Sequence, residues 1–483
     1  MKRKAWLAGI GLVGLLLVGC VQGHVYYEKG NQLVERREWQ KALDEYNRAL
    51  ASDSRLTGAY TKRGLCFQRL GRYDEALADY NKAVELAPGN EQSYINRALF
   101  FDDKGDHRQL ALADLSKALE LNPNSAYAYN LRGNVHLKLL QFEKAIEDYT
   151  ASIKINPTDY VPHCGRGDAY LSLTDYLKAI ENFDKAISID NKQALPYSGR
   201  GYAHLKLGHC KEAFKDCQEA VRLDAFLAAS YLRRGLVYKE CDGDYPKAIV
   251  DFTKAIELEP KYFYAFHERG DAYQDIGELQ KALKDYDETL QLNPAYANAW
   301  ISRGRLHIKL GNSARGFADL DKGAELLARS PYVQASRALA YREAKKYKEA
   351  LAGLNLAIQL NPKIADHYYQ RGYTHVLMGR DELALPDFDK ALQLDPRARF
   401  VYTARADLKT RGQKYSSALQ DYASAIKIEP TFAEAFIMRA DLHKTIGNRD
   451  KSIADYRAAL KTTNQPALVK RAKDGLTSLG TKP

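Results

Sequence analysis

One set of residue types returns every 34 residues along almost the whole chain, and that repetition limits the fold more than any other feature. Gly64, Ala76, Tyr80, Ala83 and Pro88, shifted by 34 or 35 residues or by multiples of these, meet the same types again. Thirteen units fit between Gly23 and Pro466, a span two residues longer than thirteen units of 34. Both extra residues fall in mid-unit turns, near Asp103–Arg108 and Cys241–Asp244. A unit this short cannot bury an apolar face alone, so it must stack on its neighbours.

Counting positions from the start of each unit, an aromatic stands at 4, small residues at 8, 20 and 27, an aromatic at 24 and often proline at 32. This pattern resembles the tetratricopeptide repeat (TPR), a helix–turn–helix, and the resemblance covers residues 23–466. It implies an all-α fold, a right-handed α-solenoid of about 13 hairpins, with 467–483 as a C-terminal solvating helix and tail. Leu468, Ala472 and Leu476 share one face of that tail helix, with Lys470, Arg471 and Lys473 keeping it soluble.

Packing arithmetic supports the hairpin independently. With the turn centred near position 15 or 16, positions 8 and 24 lie at one height on antiparallel helices, as do 4 and 27. Position 8 is Gly or Ala in all thirteen units, and position 24 is aromatic in nine. Position 4 is aromatic in eleven, with His163 and Gln334 the exceptions. Small opposite large closes the helices without a void, so both aromatic sets are expected in the core. Position 7 is arginine in twelve units and position 23 aspartate in ten, which predicts a ladder of Arg–Asp pairs across the hairpins. The first unit keeps both signs with Lys29 and Glu45. Asn182 and Gly353 replace the acid in two units, leaving Arg166 and Arg337 as the expected unpaired charges. Gly316, Gly323, Leu320 and Leu354 make units nine and ten the least regular, and local bending is expected there.

Met1-Lys2-Arg3-Lys4 followed by the apolar run Ala5–Gly19 has the form of a secretory signal. Fifteen residues span about 22 Å as a helix, short of the ~30 Å apolar core of a bilayer. The run ends Leu17-Val18-Gly19-Cys20, which resembles the lipobox of bacterial lipoproteins. The resemblance implies a cleaved signal peptide over 1–19, lipidation at Cys20 and a short lipidated N-terminus over 20–22. It further implies a place in the bacterial cell envelope: the outer membrane facing the periplasm if the cell has two membranes, given Val21 after the cysteine.

Outside the signal and the repeats only about twenty residues remain, and no HExxH, GxSxG, Walker-type or CxxC motif occurs. The expectation is a non-catalytic chain with no cofactor and no metal motif. Histidines at position 11 (His136, His204, His307, His375 and His443) read as ring substitutes. After Cys20 five cysteines remain. Cys210 and Cys217 are too far apart on one helix to pair; Cys210 with Cys241, near adjacent turns, stays open. A net charge of +11, three of it at residues 2–4, does not call for nucleic acid in a chain of 483 residues.

Function must then lie on a surface. In TPR proteins the groove is lined by first-helix positions 2, 5, 6, 9, 12 and 13. Carried onto this chain, these give Asn31, Lys62, Asn96, Asp102, Asn130, Asn134, Tyr202, Arg233, Tyr264, Asp271, Arg305, Tyr369, Tyr373 and Phe400 as the partner-binding candidates. Acidic and basic blocks alternate there with aromatics, which suits extended peptide or helix segments of protein partners. The expected function is a membrane-anchored scaffold for protein–protein interactions. The alternative is a groove that stacks a glycan such as peptidoglycan on its tyrosines.

Overall fold

The computed structural model describes residues 21–105, 107–463 and 465–482. Every regular element among them is a helix, and consecutive helices pack as antiparallel hairpins, so the protein is an all-α TPR solenoid. First helices such as Ala126–Lys138 have about 13 residues, and second helices such as Phe142–Ile155 have 14. The chain divides into two compact units, one ending at Glu259 and the other beginning at Pro260. None of the described helices is long and apolar enough to cross a membrane. Cys20 and the preceding segment lie outside the described residues.

In the first unit, a methyl group at Gly133 would come within 2.8 Å of the Tyr149 ring, and one at Gly167 within 2.7 Å of Phe183. In the second, Gly270 faces Tyr286 and Gly372 faces Phe388, each at 2.8 Å. Positions 8 and 24 therefore meet as expected, and the rings at 24 are fully buried. Position 4 differs. Tyr60, Tyr94, Tyr129 and Tyr402 are only half-buried, because the position 7 arginine three residues on lies over each ring, 5.4–5.9 Å away.

The chain reverses at position 15, where the backbone takes a left-handed conformation. Glycine supplies it at Gly71, Gly208 and Gly311, whereas Leu140 and Thr174 adopt it at φ near 60° against their own side chains. The second inserted residue is absorbed by a π-helical turn over Tyr238–Asp242 that closes at Gly243. That turn carries Cys241, which is disulfide-bonded to Cys210 at the start of helix Cys210–Leu223 in the preceding hairpin. Cys66, Cys164 and Cys217 are free and buried. Burial pushes their thiols up, Cys164 and Cys217 to about 12.

The arginine ladder is present. Arg63, Arg97, Arg132, Arg200 and Arg234 in the first unit each hold both oxygens of their aspartate at 2.7–2.9 Å. Arg269, Arg303, Arg371, Arg405 and Arg439 do so in the second at 2.6–2.9 Å. Two expectations need correcting. Glu45 pairs with Arg48 at 2.7 Å on its own helix, and Lys29 lies over the Tyr26 ring. Arg337 is not left unpaired: with Gly353 opposite, it turns to Asp321 of the preceding hairpin at 3.5 Å. Arg166 does lack a carboxylate, donating instead to Asn182 at 2.7 Å and Thr150 at 3.0 Å. In the irregular stretch the two helices of the ninth hairpin approach closely. Helices Ala297–Lys309 and Ser313–Leu326 run uninterrupted, and a methyl at Gly304 would lie 2.8 Å from the Gly316 carbonyl.

Candidate functional site

The first helices bring their candidate side chains together in several clusters. In the first unit, Lys62 and Asn96 line one cleft of about 570 Å³ with Tyr27, Gln68, Arg69 and Asp103. Its polar wall is partly tied already, since Gln68 donates to Asp103 at 2.8 Å and Gln92 to Asn96 at 3.0 Å. Asp102 is not a free acid. Lys138 of the next hairpin bonds it at 2.6 Å, and Arg108 lies 3.6 Å away. Successive repeats thus neutralise part of the charge that the sequence assigns to partner capture.

Position 9 serves the fold as well as the surface. Asn31 accepts the Tyr46 hydroxyl at 2.9 Å, Asn134 accepts that of Tyr149 at 2.7 Å, and Asp271 accepts that of Tyr286 at 2.7 Å. A buried phenol needs such an acceptor, so these three side chains hold the ring at position 24 while facing the groove. Asn130 is buried with its amide oxygen unpartnered.

Tyr202 and Arg233 form a second cluster, the guanidinium 5.6 Å from the ring and donating to Ser198 at 3.2 Å. Burial raises the Asp168 carboxyl nearby, and the Arg233 charge opposes that rise. Within the second unit, Tyr264 packs edge-on against Tyr296 at 5.1 Å, beside Asp271. Arg305 stands apart from the rings, reaching only Glu343 at 3.5 Å. Tyr369 and Tyr373 lie 6.2 Å apart, and Phe400 stands edge-on to Phe432 at 5.2 Å.

Arg342, at position 12, escaped the sequence reading. It lies 5.2 Å over Tyr373 and donates to the Gln370 side chain at 2.7 Å. Burial pulls its guanidinium below the ordinary arginine range. The signal was available, because position 12 belongs to the groove set and the residue is a cation between two tyrosines in space. Of the histidines at position 11, His136 and His443 are buried as ring substitutes would be, and burial pulls His443 down, whereas His204, His307 and His375 are half-buried.

These hairpins, stacked with one helix face carrying aromatics and partly satisfied charges, define a helical-repeat recognition scaffold. The chain belongs to the tetratricopeptide repeat family. Tetratricopeptide repeat models match residues 58–90, 126–159, 365–397 and 433–466, and a TPR repeat model matches 167–208, 242–277 and 270–311. Among curated relatives, human sperm-associated antigen 1 is 36% identical over 72 residues, covering 15% of this chain and 8% of that protein. The Hsp70-Hsp90 organizing protein of Triticum aestivum is 30% identical over 70 residues, covering 14% and 12%. Each match therefore spans a small part of the relative's length. The solved structure of the human IFIT1 dimer with m7Gppp-AAAA has a TM-score of 0.50 and 14% identity, over 77% of this chain and 90% of that one, a likeness of fold alone. Repeats of this family serve as protein-binding scaffolds.

Proposed function

We propose that this chain is a lipid-anchored, non-catalytic scaffold of the bacterial cell envelope that takes extended peptide or helical segments of other proteins along its first-helix face. One observation carries the reading: that face leaves large aromatics in solvent, whereas the rings at position 24 of the second helices are buried. Tyr127 is 53% exposed, Tyr332 69% and Phe400 48%, whereas Tyr149, Tyr286 and Phe388 are fully buried. Rigid rings beside adaptable amides and cations give contact area at low entropic cost, which is what peptide capture needs. The Cys210–Cys241 disulfide supports a compartment outside the reducing cytoplasm. In this reading Cys20 carries the lipid and Val21 directs the chain to the outer membrane.

The test is affinity purification from the native membranes, comparing the wild type with a Tyr369→Ala, Tyr373→Ala, Phe400→Ala variant. Proteins recovered by the first and lost with the second support the scaffold; an unchanged set removes that face as the docking surface. Cys20→Ala should move the chain out of the membrane fraction, and retention there would refute the anchor.

A further inference from the structure

Beyond protein capture, the geometry points to a divalent metal site on helix Phe263–Asp275. We propose that His267, Glu268 and Asp271 bind one borderline transition ion of the Zn²⁺ class, with water completing its shell. One ligand atom from each of the three falls within 4.8 Å of the others. The i, i+4 spacing sets Asp271 one turn from His267 on the same helix face, and Glu268 reaches the ring from the adjoining position.

The ring is the observation that separates this cluster from a chance gathering of acids. His267 is buried, and its Nδ1 has no hydrogen-bond partner, a costly state for a polar atom out of water. Nδ1 lies 3.8 Å from Glu268, and Nε2 lies 3.9 Å from Asp271. Both gaps are too long for hydrogen bonds. One ion takes only one ring nitrogen, because the two lone pairs of an imidazole point apart. With Nε2 on Ser302 the ligand is Nδ1, whose 3.8 Å gap to Glu268 is close to the separation of about 3.5 Å that two bonds of about 2.1 Å give at a tetrahedral ion. Asp271 completes the set by rotating its carboxylate from the Nε2 edge of the ring toward that ion.

The surroundings hold the ligands as an outer shell does. Ser302 Oγ lies 3.3 Å from His267 Nε2, and the Tyr286 hydroxyl donates to Asp271 at 2.7 Å. Tyr296 stands edge-on to the imidazole at 5.2 Å and walls one side. Both carboxylates are partly open to solvent, which gives an ion a way in. One imidazole with two carboxylates favours Zn²⁺, Co²⁺ or Mn²⁺ over Ca²⁺ and Mg²⁺, whose sites are built from oxygen alone.

Zn²⁺ titration by calorimetry and Co²⁺ absorption, both on the purified full chain at neutral pH, test the site. The expected result is one saturable ion per chain and a visible Co²⁺ band free of thiolate charge transfer. Glu268→Gln and Asp271→Asn, each with unchanged helical circular dichroism, should weaken binding by at least about tenfold, and Ser302→Ala by about tenfold. These variants leave the buried ring in place, so they keep the question open to refutation if His267→Ala fails to fold. Absence of saturable binding, undiminished binding in both carboxamide variants, or a thiolate signature from the buried cysteines would overturn the proposal.

Discussion

Arg200 grips both carboxylate oxygens of Asp216 at 2.7 Å and extends its third nitrogen to Asp184 of the preceding hairpin at 2.5 Å. The same backward reach joins Arg63 to Asn47, Arg97 to Asn81, Arg303 to Asp287, Arg371 to Asn355 and Arg405 to Asp389. Each arginine thus closes its own hairpin and fastens it to the one before. Asp216→Asn removes the buried carboxylate and leaves the half-buried guanidinium only the exposed Asp184 as an ion-pair partner, which should cost on the order of 2 kcal/mol. The converse repair is more informative. Asn182→Asp gives Arg166 the carboxylate it lacks and should slow amide exchange across Val161–Ile189, where faster exchange would contradict the ladder's stabilising role.

His163 replaces the usual aromatic at position 4, is buried, and has neither ring nitrogen hydrogen-bonded. Burial, reinforced by Arg166, pulls it down to about 4. Its folded form therefore stays neutral while the unfolded chain takes up a proton, so stability rises with pH between about 4 and 6.5. Going from pH 7 to pH 5 should cost on the order of 2 kcal/mol locally. Denaturant unfolding of wild type and His163→Phe at the two pH values checks this, with a smaller loss expected in the variant.

Leu140 occupies the left-handed turn position and is 73% exposed, so it pays backbone strain without repaying it by packing. Leu140→Gly should stabilise the hairpin by about 1 kcal/mol. Gly71→Leu, at the equivalent turn, should destabilise by a similar amount. Paired thermal melts decide both signs.

Partner capture by rings flanked with cations has a defined salt response. Raising ionic strength from about 50 to 500 mM shortens the screening length from above 10 Å to about 4 Å. Binding that depends on Arg233, Arg305 or Arg342 should weaken, whereas sugar stacking on Tyr369 and Tyr373 should hold. Affinity measured across that range with a captured protein and with a glycan fragment separates the two kinds of ligand.

The hairpins were legible in the sequence because their determinants are local. A small residue at 8 and a ring at 24 sit equidistant from one turn, as do Arg200 and Asp216. What stayed hidden depends on how one hairpin lies against the next. The arginine's reach to position 25 of its predecessor and the Lys138–Asp102 tie both arise at that junction. The candidate residues do lie on first helices, yet pattern alone gave no sign that Asn134 would be spent on a buried phenol. The pair Cys210–Cys241, which the sequence left open between adjacent turns, is formed with Cys241 on the π turn, whose geometry the period alone does not show.

The backward-reaching arginine has a consequence for ancestry. A duplicated segment of this gene would bring with it both the hook and the eye for joining its neighbour. Lengthening the array by copying in phase with the repeat therefore requires no invention of a new seam.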